Sequence, residues 1–586
     1  MNKPSDEQQD IITHTLAPLS VTACAGSGKT FTAVRRVDAL RRLLESGRGY
    51  VALLSFSNVA VDVFGRSYLE DLKDTRKAGR ARVCIETFDG FITTKVLRPH
   101  ASRTMESDCM PFLLTGTEAF LDNPLYQFKP NGQRYAAGID TVEVEHKNGQ
   151  LKVSCRPYSQ TLEVPNGIQP VRRLGKLGAY THALGRYWAY ETLKREPKSL
   201  AALAHRYPQI VVDEAQDIGS MQVALLELLA SAGSEITLIG DPNQAIFEFC
   251  GADGSYLRGY PARPGVVPKD LTINYRSVPR IVNAANSLAH RSDTAHRPEP
   301  ATDNGAFFLP FGNGEEGKLM AAFEVAVRAA SLSLSQSAVV CRARKKKQAL
   351  RNLGQEYGQG TTKRFVSATM ARDLAQDYNE AFRLTVYATV GLLEDPPRQA
   401  CAGILDPSRF PDFRDVRKII WEFTRNAEQG LPSGSLHMQL QWHPKLLVNV
   451  KALLDRLKKD HQLASQDNLN KRLNKKELPA KALVDANTER AIIDAALRVE
   501  TIHGVKGEGL DAVLYLANKE HVKALVNGTG TELGRIGYVA LTRARNLFWL
   551  GISNADADTY RTALTGHTFV EGQYDAQFNL PLASNP

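Results

Sequence analysis

The chain has 586 residues, which at about 150 residues per domain suggests about four domains. Hydrophobic residues make up 43% and charged residues 23%, so the chain can bury several cores, and wholesale disorder, collagen and coiled coil are excluded. Lys and Arg number 73 against 63 Asp and Glu, a formal charge of +10 that favours a polyanionic partner without demanding one.

Seven cysteines are scattered with no CxxC pair, which argues against a disulfide framework, a zinc ribbon or a cysteine-ligated cluster. Reduced thiols in a cytoplasmic protein are expected. The N-terminal MNKPSDEQQDIITH lacks the charged-then-apolar layout of a signal peptide. No apolar run approaches the roughly 20 residues of a membrane span, so no membrane association is expected.

In chain order, Leu19 to Thr22 reads as a strand, Lys29 to Glu45 as an amphipathic helix, and Tyr50 to Phe56 and Arg82 to Thr87 as further strands. Strands alternating with helices imply βαβ units and a parallel sheet. Residues 92–200 break the pattern with a predicted β-hairpin, TVEVEH–KNGQ–LKVSC, whose turn is Asn148-Gly149, a favoured hairpin dipeptide. A helical stretch from Gly178 to Arg195 follows. Strand signals resume at Gln209–Asp213 and Ile236–Gly240, so the first α/β region is interrupted by an insertion.

A second α/β region starts at Pro268, with strands expected at Ser337–Cys341, Ala512–Leu516 and Leu547–Ile552. It too is split, by a polar, helical stretch over about 362–494. No repeat of fixed period is visible.

The first chemical signal is ACAGSGKT, Ala23 to Thr30, between a strand and a helix. Such a loop lets the backbone of Ala25, Gly26, Ser27 and Gly28 approach phosphate oxygens at a helix N-terminus. Lys29 would then reach the β- and γ-phosphates and Thr30 would ligate Mg²⁺. A chance glycine-rich turn is the bland alternative. The second signal is QIVVDEAQD, in which an apolar strand runs into Asp213 and Glu214. Carboxylates at that end of a buried strand suit Mg²⁺ binding by Asp213 and orientation or deprotonation of water by Glu214. An isolated pair there would more often be a helix cap; downstream of a P-loop, it reads as an NTPase.

Two further segments, GDPNQAIFEFCGA (Gly240 to Ala252) and VALTRAR (Val539 to Arg545), supply Gln244 as a γ-phosphate sensor, Phe247 and Phe249 as an aromatic pair, and Arg543 as an arginine delivered from a second domain. Taken singly, such residues are more often strand core or surface ion pairs.

In this order the segments resemble the superfamily 1 helicases of the UvrD/Rep type, with scattered motifs over nearly the whole chain. PSDEQQDII resembles the family's Q motif, which implies that the nucleotide is ATP and that Gln8 reads its adenine. LSFSNVAVDVF resembles motif Ia, implying Phe56 and Asn58 on single-stranded DNA, and ETFDGF resembles the TFxxF motif that follows. INYRS resembles motif IV, implying Arg276 on the γ-phosphate. ETIHGVKGEGLD resembles motif V, implying Thr501 and His503 on DNA, and VALTRAR resembles motif VI. Phe247 and Phe249 would stack on bases.

The resemblance implies two RecA-like domains, each carrying an insertion: 1A over 1–91 and 201–265, 1B over 92–200, 2A over 266–361 and 495–586, and 2B over 362–494. It implies ATP-dependent movement on DNA with 3′ to 5′ polarity. Three positions depart from the family pattern: Cys250 stands for an arginine, Phe249 for a tryptophan, and Gly509 for a glutamate read as a ribose contact, with Glu508 one residue early.

The run TFDGFITTKVLRP, Thr87 to Pro99, also resembles the helicase subunit of Gabija-type anti-phage systems. That alternative implies an OLD-like nuclease partner and an ATPase that senses DNA ends. The basic run Arg342 to Lys347 is a DNA or phosphate contact or, equally, a solvated face. The Lys471 to Lys476 tract reads as solvated surface.

Overall fold

The computed structural model describes the chain except residues 1–2, 45–48, 72–81, 117, 148, 157–160, 249–250, 344–345, 347–356, 375, 407–409, 485–496 and 574–586. Side chains at 58, 59, 63, 67 and 69–71 are likewise outside the description.

Two six-stranded sheets dominate, and every strand pair within them is parallel. Across the first, the order is Val267–Leu271, Leu19–Ala23, Glu235–Gly240, Gln209–Asp213, Val51–Ser55, Val83–Thr87. Across the second, it is Val570–Glu571, Gly305–Phe311, Ala544–Ser553, Leu510–Leu516, Ala338–Cys341, Arg498–Thr501. Numbered along the chain, both sheets run sixth, first, fifth, fourth, second, third. The two halves therefore repeat one topology, which no sequence period reveals.

Both sheets are buried on two faces, and the strands alternate between them. Leu53, Val211 and Ile239 pack with Val34 of helix Lys29–Leu43 on one side of the first sheet. Leu54, Val212 and Leu238 pack with Phe88, Phe91 and Trp188 on the other. In the second sheet, Val340, Tyr515 and Phe548 face one core and Val339, Leu514 and Trp549 the other.

The connection between the third and fourth strands of the first sheet carries helices and an antiparallel sheet of Val142–Lys147, Gln150–Cys155 and Leu162–Glu163. The expected hairpin is present, although Asn148 lies outside the described residues. The helix expected from Gly178 begins at His182. Ala179–Tyr180 instead pairs with Phe112–Leu113, and Thr181 caps the helix by accepting from the Leu184 N–H. This region shares its core with the first sheet.

In the second sheet the long connection lies between the second and third strands. Its helices, among them Gly360–Asp373, Arg414–Arg425 and His443–His461, enclose a separate core around Phe365, Ile420, Trp442 and Leu454. No disulfide joins the described cysteines. Among the described residues no helix is long and apolar enough to cross a membrane.

Candidate nucleotide site and nucleic-acid surface

Strand Leu19–Ala23 ends where the loop Cys24 to Gly28 begins, and helix Lys29–Leu43 starts on Lys29. Gly26 and Gly28 have φ of +73° and +78°, conformations that favour glycine. A Cβ on Gly26 would lie 2.6 Å from Cβ of Arg276, so the missing side chain admits the arginine. The Tyr275 N–H donates to Gly26 O at 2.9 Å, and Ser27 Oγ donates to Cys24 O at 2.9 Å. Ala25 is buried within the turn.

Gln8 sits behind this loop. Its Nε2 donates to Ser27 O at 3.0 Å and its Oε1 accepts from the Ser5 N–H at 3.1 Å. Both ends of the amide are thus engaged in holding the N-terminal helix against the loop, and Gln8 does not line the cavity in front of it.

Asp213 and Glu214 close the strand Gln209–Asp213 beside the loop. Asp213 is buried, its Oδ1 has no hydrogen-bond partner, and burial together with the charge of Glu214 pushes its carboxyl up to about 7. Glu214 has φ +54°, a left-handed conformation that costs a non-glycine residue about 1 kcal/mol or more. Burial raises its pKa, but Lys29, Lys506, the Gln216 amide and Arg543 outweigh that and hold it down at about 2. Gln216 Nε2 donates to Glu214 at 2.5 Å while its Oε1 accepts from the Asp241 N–H at 3.0 Å. The two carboxyls are therefore driven in opposite directions, and Glu214 is the firm carboxylate of the pair.

Basic residues from beyond the first sheet face these carboxylates. Arg543, at the end of helix Glu532–Arg543, donates from Nη2 to Gln244 Oε1 at 2.6 Å and from Nη1 to Glu508 O at 3.2 Å. Gln244 in turn donates to Asp241 Oδ2 at 2.8 Å. Arg276 donates to Thr542 O at 3.1 Å. Burial, then the neighbouring Arg543, lower its pKa to about 9, the sign of guanidiniums crowded without a full anionic complement.

Lys506 makes a close cross-sheet ion pair, 2.6 Å from Asp217, with both side chains under a tenth exposed. It also donates to Gln244 O at 3.0 Å and sits 4.6 Å from the Phe247 ring centre. Arg535 extends the clamp, donating to Ala245 O and to Glu248, each at 2.6 Å.

Between these walls lies a cavity of about 830 Å³. Among its described lining residues, six bases (Lys29, Arg35, Arg276, Arg297, Arg543 and Arg545) oppose two carboxylates (Glu214 and Asp511). That excess suits a polyanion such as a nucleoside triphosphate. Thr30 and Gln244 also line it. Sequence reasoning missed Tyr275, Arg35, Arg297, Arg545, Asp217, Lys506 and Arg535. Tyr275 and Lys506 lay inside segments already singled out, whereas Arg35 and Arg297 sit in no motif.

The residues expected on DNA form two groups. Phe247 is half-buried, 5.5 Å from the His503 ring, and His503 Nε2 lies 3.0 Å from Ile246 O. Thr501 ends its strand, its hydroxyl accepting from the Gly504 N–H at 3.1 Å. Phe56 stands apart, stacked on Phe88 at 6.3 Å between ring centres. Phe249 and Cys250 lie outside the described residues, as does the side chain of Asn58, which opens the helix Asn58–Asp71. Glu508 forms a bidentate pair with Arg498 at 2.9 Å. Of the basic run, Lys346 pairs with Glu316 at 2.7 Å, and residues 344, 345 and 347 lie outside the description.

A model of the UvrD/REP helicase N-terminal domain matches residues 179–260. That stretch holds Asp213, Glu214 and Gln244. The chain is also 24% identical over 340 residues to the putative ATP-dependent DNA helicase YjcD of Bacillus subtilis, covering 54% of this chain and 42% of that protein. It is 25% identical over 299 residues to DNA helicase II of Escherichia coli, covering 49% and 40%. With ATP-dependent DNA helicase PcrA of Staphylococcus aureus the identity is 23% over 314 residues, covering 51% and 41%. The chain thus matches about two-fifths of the length of each of these curated relatives.

Proposed function

We propose that this chain is an ATP-driven DNA motor of the UvrD/REP type, in which two RecA-like domains, each bearing an insertion (1A and 1B, 2A and 2B as bounded above, except that strand Val267–Leu271, paired with Leu19–Ala23, moves from 2A to 1A), close on one nucleotide. The observation that carries this reading is the single cavity where the Lys29 loop and Glu214 meet Arg276 and Arg543.

Lys29 and the backbone of Ala25 to Gly28 hold the phosphates, and Gln8, which also braces the loop, reads the adenine. Glu214, kept ionised, orients and takes a proton from the attacking water. Gln244 senses the γ-phosphate through its bond to Arg543, and both arginines stabilise the charge of the transferring phosphoryl group. The buried, unpartnered Asp213 Oδ1 and the Thr30 hydroxyl fit Mg²⁺, which prefers one or two protein oxygens plus substrate phosphates. When bound, that ion supplies charge neutralisation of the phosphates.

Closure depends on the γ-phosphate, so its loss releases the arginines. The motion reaches DNA through the Gln244 to Glu248 loop, which Arg543, Lys506 and Arg535 all grip. Phe56, Phe247 and Phe249 stack on bases at roughly 1–3 kcal/mol each, with Asn58, Thr501 and His503 beside the strand. Translocation runs 3′ to 5′.

ATP hydrolysis measured with and without single-stranded DNA, on wild type and Glu214→Gln, tests the motor. DNA-stimulated turnover that the variant loses is expected; a rate indifferent to DNA overturns the reading. Unwinding favoured from a 5′ tail overturns the polarity. The nuclease-partner alternative keeps the same ATP site, and co-elution with an OLD-like nuclease would favour it.

A further inference from the structure

The wall of the cavity contributed by the second sheet is built around a missing side chain. Gly509 immediately precedes strand Leu510–Leu516, at the position where the family resemblance leads one to expect a glutamate. A Cβ there would lie 3.2 Å from Nε and 3.3 Å from Nη2 of Arg545, and 3.4 Å from Nε of Arg276. Two guanidiniums thus occupy the space a longer side chain would take. The adjacent carboxylate cannot fill the role, because Glu508 is turned into its pair with Arg498.

Arg545 is held by its main chain rather than by its side chain. Its carbonyl accepts from the Val278 N–H at 2.9 Å and from Arg297 at 3.1 Å. The guanidinium is 46% exposed, lines the cavity, and has Asp511 at 3.6 Å, beyond good hydrogen-bond length. Its planar fork is therefore fixed at the root and available at the tip, the form best suited to bidentate phosphate recognition.

We propose that Arg545 is a nucleotide-binding residue that occupies the position opened by Gly509, replacing an acidic sugar contact with a basic phosphate contact. Arg543 and Gln244 mark the γ-phosphate end of the cavity, whereas Arg545 lies beside Asp511 and Asn546. It meets the phosphates nearer the nucleoside, which ATP and ADP share. The inference rests on the ATP reading above and deepens it.

The test is competition of ATP and of ADP against a fluorescent ATP analogue, without DNA, on the full chain. Arg545→Ala weakens both nucleotides together by about tenfold or more, as expected for loss of a charge-assisted contact. Arg543→Ala weakens ATP more than ADP. Arg545→Lys recovers part of the loss, and Gly509→Ala, which crowds the same guanidinium, weakens both nucleotides several-fold. Wild-type affinity for ATP and ADP in Arg545→Ala overturns the proposal. If that variant fails to fold, as read by its melting transition, wild-type affinity in both Arg545→Lys and Gly509→Ala overturns it instead. A wild type that binds neither nucleotide overturns the ATP reading itself, a result distinct from any of these.

Discussion

The first sheet meets the cavity with the C-terminal ends of its strands, where Lys29 and Glu214 line it and Asp213 is buried at its strand end. The second sheet, with the same strand order, meets that cavity from the opposite edge: Gly507, Asp511 and Arg545 lie where its strands begin. Its own C-terminal ends surround a different cavity of about 590 Å³ that includes Gly312, Arg342, Asn518 and Asp556. There the first strand runs into a further G-x₄-G-K series, Gly312 to Lys318. Yet the helix already begins at Glu316, and the Gly312 N–H is taken by the Glu315 carboxylate. One topology thus presents two kinds of wall to the cavity, an acidic end carrying the glycine-rich loop and a basic edge. What distinguishes them is which end of the strands faces the partner sheet.

Variants can break that contrast, beginning with the largest effect. Losing Arg543 from the basic edge lowers hydrolysis by about 10³–10⁵, read as steady-state phosphate release by Arg543→Ala. Glu214→Gln removes the carboxylate of the acidic end and lowers turnover by about 10²–10⁴, while equilibrium nucleotide binding persists; tighter dependence of binding than of turnover on Glu214 would contradict its role.

Cutting the cross-link between the sheets has a smaller effect. Lys506→Gln reduces DNA stimulation of the ATPase by about tenfold at pH 8, the worth of one buried charge-assisted contact. Burial raises Asp217 to about 6 although Lys506 opposes it. The ion pair is therefore present above that pH and lost as the pH falls through it. Wild type and Lys506→Gln should converge in stimulation ratio below about pH 6, and a constant ratio from pH 5.5 to 8 would contradict the assignment. The smallest effect belongs to the second sheet's own glycine–lysine series: Lys318→Ala, altering a side chain 67% exposed and paired with Glu315, leaves hydrolysis within about twofold, as usual for surface substitutions.

Much of the acidic end was legible in the sequence because its chemistry is local. A strand, two glycines and Lys29 fall within a dozen residues, and Asp213-Glu214 follows three apolar residues, Ile210 to Val212. The basic edge is assembled from residues 276, 297, 506, 543 and 545, so spacing alone says little about it. The repeated topology was hidden because the long connections fall at different places, between strands three and four in one sheet and two and three in the other. Of the edge strands, Val83–Thr87 was legible but Val267–Leu271, Arg498–Thr501 and Val570–Glu571 were missed. Val267–Leu271 carries Pro268, Lys269 and Asp270, the composition of a strand that meets water and blocks further pairing.

In the mechanism proposed above, one nucleotide is held between the acidic end of one sheet and the basic edge of the other. Steady-state ATP hydrolysis by wild type and Arg543→Ala over saturating single-stranded oligonucleotide tests it most directly, since Arg543 reaches Gln244 across that gap. Wild type should show DNA-stimulated turnover, and the variant, with an unchanged melting transition, a fall of about a thousandfold or more. Arg543→Ala turning over ATP at the wild-type rate would contradict it.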